Sequence, residues 1–139
     1  MITYHHKVNY YETDRMGITH HSNYVRIMEE ARLELLDKIG CDYRKMEDEG
    51  IVSPVMSVNC NFKKSTTYSD EILVNVRVKK FTGVRLDFEY EMLNAKDNSV
   101  VCTAVSEHCF VNSEFKPVNL KKVKPDLYAK IMDNTEEQA

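Results

Sequence analysis

The sequence predicts an α+β domain in which one long central helix is wrapped by a curved antiparallel sheet of about five strands. Two hydrophobic periods carry this prediction. From Tyr24 onward, apolar residues recur at steps of three and four, which is the stripe of an amphipathic helix. Beyond Pro54, apolar and polar residues alternate, which is typical of strands with one buried face. Packing the helix stripe onto the dry face of the sheet gives a two-layer architecture.

The central helix is predicted to run from about Ser22 to Ile39, which gives a length of roughly 27 Å. Ser22 or Asn23 is expected to accept hydrogen bonds from the unpaired amides of the first turn. Lys38 and Gly40 are typical of a helix C-terminus, where a cation and a left-handed glycine are favoured. The apolar stripe that should face the sheet consists of Ile27, Met28, Ala31, Leu35 and Ile39.

The predicted strands are joined by short polar connections, so successive strands should pair antiparallel. Thr82-Gly83 is expected to form a tight hairpin and Lys96-Asp97-Asn98 a polar one. The predicted strands are the segments 3–9, 56–62, 72–79, 84–92 and 100–111. The last segment has apolar residues on both faces, which predicts coverage by the helix on one face and by a second subunit on the other. Between helix and strands, residues 43–49 are predicted to form one or two helical turns.

The C-terminal part is predicted to contain a short helix near Asp126 to Met132 and a frayed tail from Thr135 to Ala139. With 139 residues, 42% hydrophobic and 29% charged, the whole chain 1–139 is predicted to form one domain. Long exposed strand edges are usually paired or covered, so we expect a homodimer or homotetramer.

The overall charge and the cysteines bound the classes of partner. A net charge of −3 gives no general attraction to nucleic acid or to an anionic membrane. The four cysteines form no C-x-x-C pair and the N-terminus lacks the apolar core of a signal peptide, so a reduced, cytoplasmic location is predicted. Apolar runs fall short of the ~18 residues that a membrane-spanning helix needs, so no integral membrane segment is predicted.

Three residues that lie immediately before the helix are candidates for chemistry. Asp14, Gly17 and His21 combine an acid, a flexible backbone position and a polar ring near a helix N-terminus. The unpaired amides of such a terminus stabilise a developing oxyanion, so the arrangement favours an acyl-transfer site. The alternative interpretation is purely structural: Asp14 caps a turn, Gly17 allows a tight bend and His21 is solvated.

The run YETDRMGITHHSNY, from Tyr11 to Tyr24 and continuing to Glu29 and Arg32, resembles the signature of the 4-hydroxybenzoyl-CoA thioesterase family of hot-dog fold proteins. Within that family the chain is most similar to the Tol-Pal-associated acyl-CoA thioesterase branch. The resemblance covers nearly the whole chain and implies a hot-dog fold. It also implies that Asp14 is the essential carboxylate, as nucleophile or as general base toward water. Backbone amides at the helix start would polarise the thioester carbonyl, and His21 matches a histidine of this branch.

An acyl-CoA thioester needs little catalytic machinery, because a thiolate leaves far more readily than an alkoxide. A carboxylate and a preformed oxyanion site are enough, and the sequence has no G-x-S-x-G elbow that would indicate a serine hydrolase. Glu29 is an alternative carboxylate, since some hot-dog enzymes use a helix glutamate. We interpret Glu29 instead as a structural partner of Arg32 or Arg26.

Substrate-binding positions are predicted from the loop motif and from clusters of positive charge. Tyr24 lies at the end of the motif, while basic side chains at strand ends are candidates for holding coenzyme A phosphates: Lys63, Lys64, Lys80 and Arg85. Solvated surface lysines are the alternative. The His5-His6 and His20-His21 pairs lack metal-ligand spacing, and His108 is interpreted as a satisfied core histidine, so no metal and no cofactor beyond the substrate's own coenzyme A are predicted.

Two other function classes remain open from the sequence. A hot-dog dehydratase or hydratase would also bind an acyl thioester, although its His-Phe-Pro-Gly loop is absent here. A non-catalytic acyl-CoA binding protein is the second alternative. Release of free thiol from acyl-CoA separates a thioesterase from both, and the sequence leaves the identity of the acyl group open.

Overall fold

The fold is described by a computed structural model that covers residues 1–137 of the chain. The strands are β1 (Ile2–Lys7), β2 (Val55–Phe62), β3 (Glu71–Phe81), β4 (Arg85–Asn94), β5 (Val100–Cys109) and β6 (Thr135–Glu137). The helices are α1 (Ser22–Lys38), α2 (Tyr43–Asp48), α3 (Leu120–Val123) and α4 (Pro125–Asp133), with a 3₁₀ turn at Tyr10–Glu12. The α+β architecture and the helix α1 are therefore confirmed, with α1 ending one residue earlier than predicted.

One sheet contains all the described strands. Its order is β1-β3-β4-β5-β2, with antiparallel pairing throughout, while β6 pairs in parallel with the far part of β3. The predicted 84–92 strand and its neighbours form the centre, and the 55–62 strand lies at an edge. The sheet has the five antiparallel strands that the sequence predicted, and β6 is an additional one.

The core lies between α1 and the sheet. The stripe residues Ile27, Met28, Ala31 and Leu35 are buried there against side chains of β3 and β4, while Ile39 is half-buried. Full burial of one such aliphatic side chain stabilises the fold by about 1.5–3 kcal/mol. The helix is thus held in place by packing along its length, and its N-terminus is carried to one end of the sheet.

The two ends of α1 differ in how well they were predicted. Gly40 has a φ of +86°, so the expected left-handed end of the helix is confirmed. Neither Ser22 nor Asn23 caps the other end with its side chain. Instead, the Ser22 amide donates to Nδ1 of His20 at 3.2 Å, and the Asn23 side chain donates to the carbonyl oxygen of Glu12 at 2.9 Å. The preceding loop therefore supplies the cap.

The 100–111 segment forms the interior strand β5 over Val100–Cys109, and coverage of its second face by another subunit stays a prediction. It pairs with β4 on one side and β2 on the other, and most of its residues are buried or half-buried. Strand β2 carries several exposed apolar side chains, although alternation had predicted one dry face there. Four of its side chains are 40–57% exposed: Val55, Met56, Val58 and Phe62. The reason is its edge position, because no strand of the described chain covers its free side.

The C-terminal helix prediction is confirmed by α4, and residues 43–48 form the expected short helix α2. The tail prediction is wrong for Thr135–Glu137, which pairs with Val78 and Lys80 of β3 as β6. Gln138 and Ala139, the rest of the predicted frayed tail, lie outside the described residues. None of the described helices is both long and apolar enough to cross a bilayer.

Candidate active site

Asp14 opens a tight turn that precedes α1. Its amide donates to the Ile18 carbonyl oxygen at 2.9 Å, and its own carbonyl oxygen accepts from the Gly17 amide at 2.9 Å. The carboxylate oxygen Oδ1 accepts from the Met16 amide at 2.8 Å. Within the described part of the chain, the second carboxylate oxygen has no hydrogen-bond partner. Asp14 therefore uses one oxygen to build the turn and leaves the other available to a ligand.

Gly17 closes this turn through its backbone conformation. Its φ of +79° lies in the left-handed region, which side chains disfavour. No atom would contact an added Cβ within 4 Å, so the dihedral angle, not space, requires glycine. The Gly17 carbonyl oxygen accepts from the Thr67 hydroxyl at 2.8 Å. Gly17 shapes the loop but is not on the wall of the cavity described next.

A surface cavity of about 280 Å³, the Asp14 cavity, has Asp14 in its wall. It is lined by Asp14, Met16, Ile18, Thr19, His21, Tyr24, Phe62, Lys63, Lys64 and Ser65. Five residues predicted separately from the sequence thus meet in one place: Asp14, His21, Tyr24, Lys63 and Lys64. The cavity combines an acid, two cations and apolar walls, which suits a ligand with an apolar group beside a charged one.

The amides at the start of α1 are not equally available. The Ser22 amide donates to the His20 ring, the Asn23 amide donates to the His20 carbonyl oxygen at 3.0 Å, and the Tyr24 amide donates to the His21 carbonyl oxygen at 3.2 Å. For the His21 amide, residues 1–137 provide no acceptor. The sequence predicted that the amides of the helix start as a whole form the oxyanion site. Of the four amides from His21 to Tyr24, only that of His21 has no acceptor within residues 1–137 and is available for this role.

The His21 side chain is exposed and lies between two aromatic neighbours. Its ring stacks on His20 with a centroid distance of 4.2 Å and meets the Phe62 ring edge-on at 6.2 Å. His20 in turn has Nδ1 2.8 Å from the Ser22 hydroxyl. The stacking orients the His21 ring at the mouth of the cavity, while its backbone begins the helix.

Tyr24 lines the cavity with its ring, but its hydroxyl is already engaged. The hydroxyl lies 2.9 Å from the Thr66 hydroxyl, which lies 2.6 Å from that of Thr19. Burial raises the pKa of Tyr24 above its usual value, so its phenol stays protonated. A contact between Tyr24 and a substrate, as the sequence predicted, would therefore be made by the ring. Its centroid lies 5.4 Å from that of the Phe62 ring. Thr66 was missed by sequence reasoning, because a threonine in a polar loop gives no signal.

The four predicted coenzyme A contacts separate into two groups. Lys63 and Lys64 follow β2, and both of their amides donate to the Val101 carbonyl oxygen, at 2.8 and 3.3 Å. Lys80 and Arg85 lie at the opposite end of the sheet, where Arg85 pairs with Cys109 across the ladder. Within one chain, the four cations therefore do not form one cluster, and which of them contact coenzyme A stays a prediction. Lys63 and Lys64 follow the end of β2, whereas Lys80 and Arg85 flank the β3–β4 hairpin, which lies at the end of the sheet where β2 begins.

Arg85 has protein partners of its own at that end. Its guanidinium Nη2 lies 2.5 Å from Glu107 Oε2 and 3.9 Å from Asp87 Oδ1. Lys80 is exposed and pairs with Asp87 in the β3–β4 ladder. The cross-strand carboxylates account for these cations without a bound phosphate.

Glu29 lies outside the Asp14 cavity. Its side chain is 64% exposed and its Oε2 lies 3.6 Å from Arg32, which confirms the predicted ion pair with Arg32. Both residues line a second cavity of about 400 Å³, the Glu29 cavity, between α1, α2 and the ends of β4 and β5. This cavity also contains His108, and its remaining walls are mainly apolar.

His108 is a buried histidine with a satisfied ring, as predicted. It is 2% exposed, and its Nε2 lies 2.7 Å from the Ser106 hydroxyl, which lies 2.6 Å from that of Tyr90. Burial, with a further contribution from the nearby Arg32 cation, lowers the pKa of His108 to about 4. The ring is therefore neutral at physiological pH and acts in the core through hydrogen bonding and packing.

Comparisons with known proteins agree with this geometry. The sequence pattern of the Thioesterase-like superfamily matches residues 8–131. A putative acyl-CoA thioesterase of Bacillus subtilis is 32% identical over 120 residues, which cover 86% of this chain and 87% of that protein. A putative esterase of Aquifex aeolicus is 36% identical over 110 residues, which cover 79% of this chain and 84% of that protein.

Among solved structures, a DHNA-CoA thioesterase from Staphylococcus aureus superposes with a TM-score of 0.88 at 35% identity, over 94% of this chain and 90% of that one. Residues 8–131, which match the superfamily pattern, include the Asp14 turn, α1 and the strands β2 to β5. The chain therefore belongs to the Thioesterase-like superfamily and has its hot-dog fold, as the loop motif had indicated.

Proposed function

We propose that the protein hydrolyses an acyl-CoA thioester to the free acid and coenzyme A at the Asp14 cavity. The observation that carries this proposal is that Asp14, with one carboxylate oxygen unpaired in residues 1–137, and His21, with an unpaired amide there, line one cavity together with Lys63 and Lys64. The names of the similar proteins from Bacillus subtilis and Staphylococcus aureus support the same substrate class.

The chemistry assigns one task to each group. The His21 amide donates to the thioester carbonyl oxygen and stabilises the negative charge that develops on it. Asp14 either attacks the carbonyl carbon, giving a mixed anhydride that water then cleaves, or removes a proton from the attacking water. In both routes the C–S bond breaks and coenzyme A leaves as a thiolate. Lys63 and Lys64 attract the phosphates of the coenzyme A portion.

The reaction so written uses a carboxylate, an amide and water, so we propose that it needs no metal and no cofactor beyond the substrate's own coenzyme A. Hydrolysis should then survive exhaustive EDTA treatment. The four free cysteines favour a reduced compartment, which supports the cytoplasm as the site of action.

Two resemblances bear on the identity of the acyl group, one to a solved structure and one through the loop motif. The Staphylococcus structure is named for an aromatic thioester, DHNA-CoA, and is 35% identical to this chain. The motif around Asp14 instead resembles the Tol-Pal-associated branch of the 4-hydroxybenzoyl-CoA family. We propose an aromatic acyl group first, because the 35% identical solved structure carries that name and because Tyr24 and Phe62 line the cavity.

We also propose that two copies pair through β2. Its apolar side chains are exposed and its outer edge is unpaired in the described chain, which is the arrangement that a second strand covers. Pairing of β2 with its own copy about a two-fold axis is antiparallel. It would bring the Phe62 end of one copy, which carries the Asp14 cavity, toward the Val55 end of the other, which carries the Glu29 cavity.

The test is a panel of aromatic, short-chain and long-chain acyl-CoA thioesters, read by the release of free thiol. Hydrolysis of at least one thioester, with loss of activity in Asp14→Asn, supports the proposal. Binding of acyl-CoA without thiol release would favour a non-catalytic binding protein. Modification of the acyl chain with the thioester intact would favour a dehydratase or hydratase.

A further inference from the structure

A buried acid–base pair lies directly behind the Asp14 turn. Glu12 is 5% exposed and His6 is 9% exposed. Nε2 of His6 lies 2.9 and 3.1 Å from the two carboxylate oxygens of Glu12, and the Asn9 amide donates to the same carboxylate at 2.7 Å. A buried carboxylate is costly unless hydrogen bonds satisfy it, and here several donors converge on it.

The His6 ring extends this network toward α1. Its Nδ1 lies 3.5 Å from Glu30 Oε2, and the Tyr4 hydroxyl donates to the same oxygen at 2.6 Å. The Glu12 side chain is thereby tied to β1 through His6 and, one step further, to the middle of α1 through Glu30. Both elements are held by the core, so they provide a rigid support for Glu12.

The backbone of Glu12 holds the two halves of the candidate site. Its carbonyl oxygen accepts from the His20 amide at 2.8 Å and from the Asn23 side chain at 2.9 Å. Glu12 precedes the Asp14 turn by two residues, while His20 and Asn23 lie on either side of His21 and Ser22. Glu12 therefore links the segment that carries the Asp14 carboxylate to the segment that carries the unpaired His21 amide.

We propose that Glu12, anchored by His6, is a positioning residue that sets the separation between the Asp14 carboxylate and the His21 amide. Its side chain fixes where the loop starts, and its carbonyl oxygen fixes where α1 starts. Misplacement of catalytic groups by about 1 Å costs roughly 10²-fold in rate without a comparable loss of binding. This inference relies for its kinetic readout on the hydrolysis proposed above.

The chain contains a matched control for this pair. His5, the next residue along β1, has its Nδ1 2.8 Å from Glu71 Oε1, and both side chains are at least half exposed. The two histidines are neighbours on β1 and each lies at a similar distance from one glutamate, but within residues 1–137 Glu71 makes no hydrogen bond or ion pair to the Asp14 turn or to the start of α1. Glu71→Gln therefore reports the effect of losing the acid that pairs with a β1 histidine, without the positioning role.

The kinetic experiment compares Glu12→Gln, His6→Gln and Glu71→Gln in the full-length protein, well below the melting temperature of each variant. We expect kcat to fall about 10- to 100-fold in the first two, with KM changed less than about threefold, and no change in Glu71→Gln. The second variant keeps the test valid if Glu12→Gln folds poorly. Unchanged kcat, or a rise in KM alone, would overturn the proposal.

A double variant separates positioning from general stability. If Glu12 acts through Asp14, adding Glu12→Gln to Asp14→Asn should cost little further activity, because the group being aligned is already lost. A full additional loss would mean that Glu12 acts independently of Asp14 and would contradict the inference.

Amide hydrogen exchange tests the same inference without any turnover. Glu12→Gln should speed exchange at the Asp14 and His20 amides, whose bonds hold the turn and the helix start, while Glu71→Gln should not. Equal exchange in the two variants would overturn the positioning role. If the wild-type protein released no thiol from any acyl-CoA, the proposed function would fail, and the exchange measurement would still decide this inference.

Discussion

Asp14 serves structure and chemistry at the same time. One carboxylate oxygen accepts from the Met16 amide inside the turn, the other has no partner within residues 1–137, and the residue lines the Asp14 cavity. The sequence left a turn-capping role and a catalytic role as alternatives, and the geometry allows both. The consequence is that a substitution at this position must preserve the first role to test the second.

Asp14→Asn is expected to lower kcat by about 10² to 10⁴ and to leave the fold intact, because asparagine keeps an oxygen for the Met16 amide but loses the negative charge. Thiol release measures the activity and the melting temperature measures the fold. Glu29→Gln is the control, since Glu29 is exposed outside the Asp14 cavity and should retain nearly full turnover. Retained turnover in Asp14→Asn, with its loss in Glu29→Gln, would transfer the reaction to α1.

His108 predicts a dependence of stability on pH. Its pKa is about 4 in the folded protein, below the usual value of about 6.5, so the unfolded chain binds more protons between these values. Stability is therefore complete above pH ~6.5 and falls as the pH drops toward 4, by at most about 3 kcal/mol. Thermal or urea unfolding measured at pH 7 and pH 5 checks this.

The matching variant is His108→Gln, which cannot take up a proton. It should unfold more easily at pH 7, because packing against Phe88 and the bond to Ser106 are disturbed. Its stability should, however, decline less between pH 7 and pH 5 than that of the wild type. The same decline in both proteins would assign the acid sensitivity to other groups.

At the level of elements, the Asp14 turn is supported from two sides. On one side is Glu12, and on the other is the loop between β2 and β3. The Thr19 amide donates to the Thr66 carbonyl oxygen at 2.8 Å, and the Thr67 hydroxyl donates to the Gly17 carbonyl oxygen at 2.8 Å. A loop clamped in this way keeps its shape although it lies on the surface, which is what a catalytic carboxylate requires.

Gly17→Ala should destabilise the protein by about 1–2 kcal/mol, because alanine disfavours a positive φ. Gly50→Ala is a matched control, since Gly50 has a φ of +84° and equally open surroundings but lies outside the Asp14 turn. Urea unfolding should show similar losses for both variants. Only Gly17→Ala should also lower kcat, because only its turn carries Asp14. A parallel loss of kcat in both would reduce the role of Gly17 to stability alone.

At the level of the whole molecule, β2 is an edge strand of the sheet whose outer edge is unpaired within residues 1–137. Its neighbour β5 completes one side of its hydrogen bonding, while its own apolar side chains remain exposed. Such an edge strand is a template for pairing with another strand. The dimer was predicted from the apolar faces of the 100–111 segment, and the exposed edge strand β2 gives a second reason to expect it.

The protein is expected to sediment as a dimer or larger assembly at micromolar concentration. Val58→Lys, in the middle of β2, should shift it toward monomer, because a buried lysine at a strand–strand interface loses its hydration. Val123→Lys is the control, since Val123 is about as exposed but lies on α3. A wild-type monomer with full activity would contradict the proposed pairing. So would equal behaviour of the two variants.

The sequence alone determined the features that depend on neighbouring residues. The period of three and four predicted α1, the left-handed glycine predicted its end at Gly40, and the alternating segments predicted antiparallel strands. The candidate site around Asp14, His21 and Tyr24 was also accessible, because these residues lie within one turn and the helix that follows it. Local backbone preferences and side-chain periodicity are written in consecutive residues, so they can be read without a structure.

Only the tertiary structure decided which distant residues meet. It brought Lys63 and Lys64 to Asp14 but left Lys80 and Arg85 at the far end of the sheet. It also engaged the Tyr24 hydroxyl with Thr66, and it turned the carbonyl oxygen of Glu12 into the link between the turn and the helix. These outcomes depend on strand register and on the path of loops across the sheet. A shift of register changes every such contact while leaving the local pattern of the sequence unchanged.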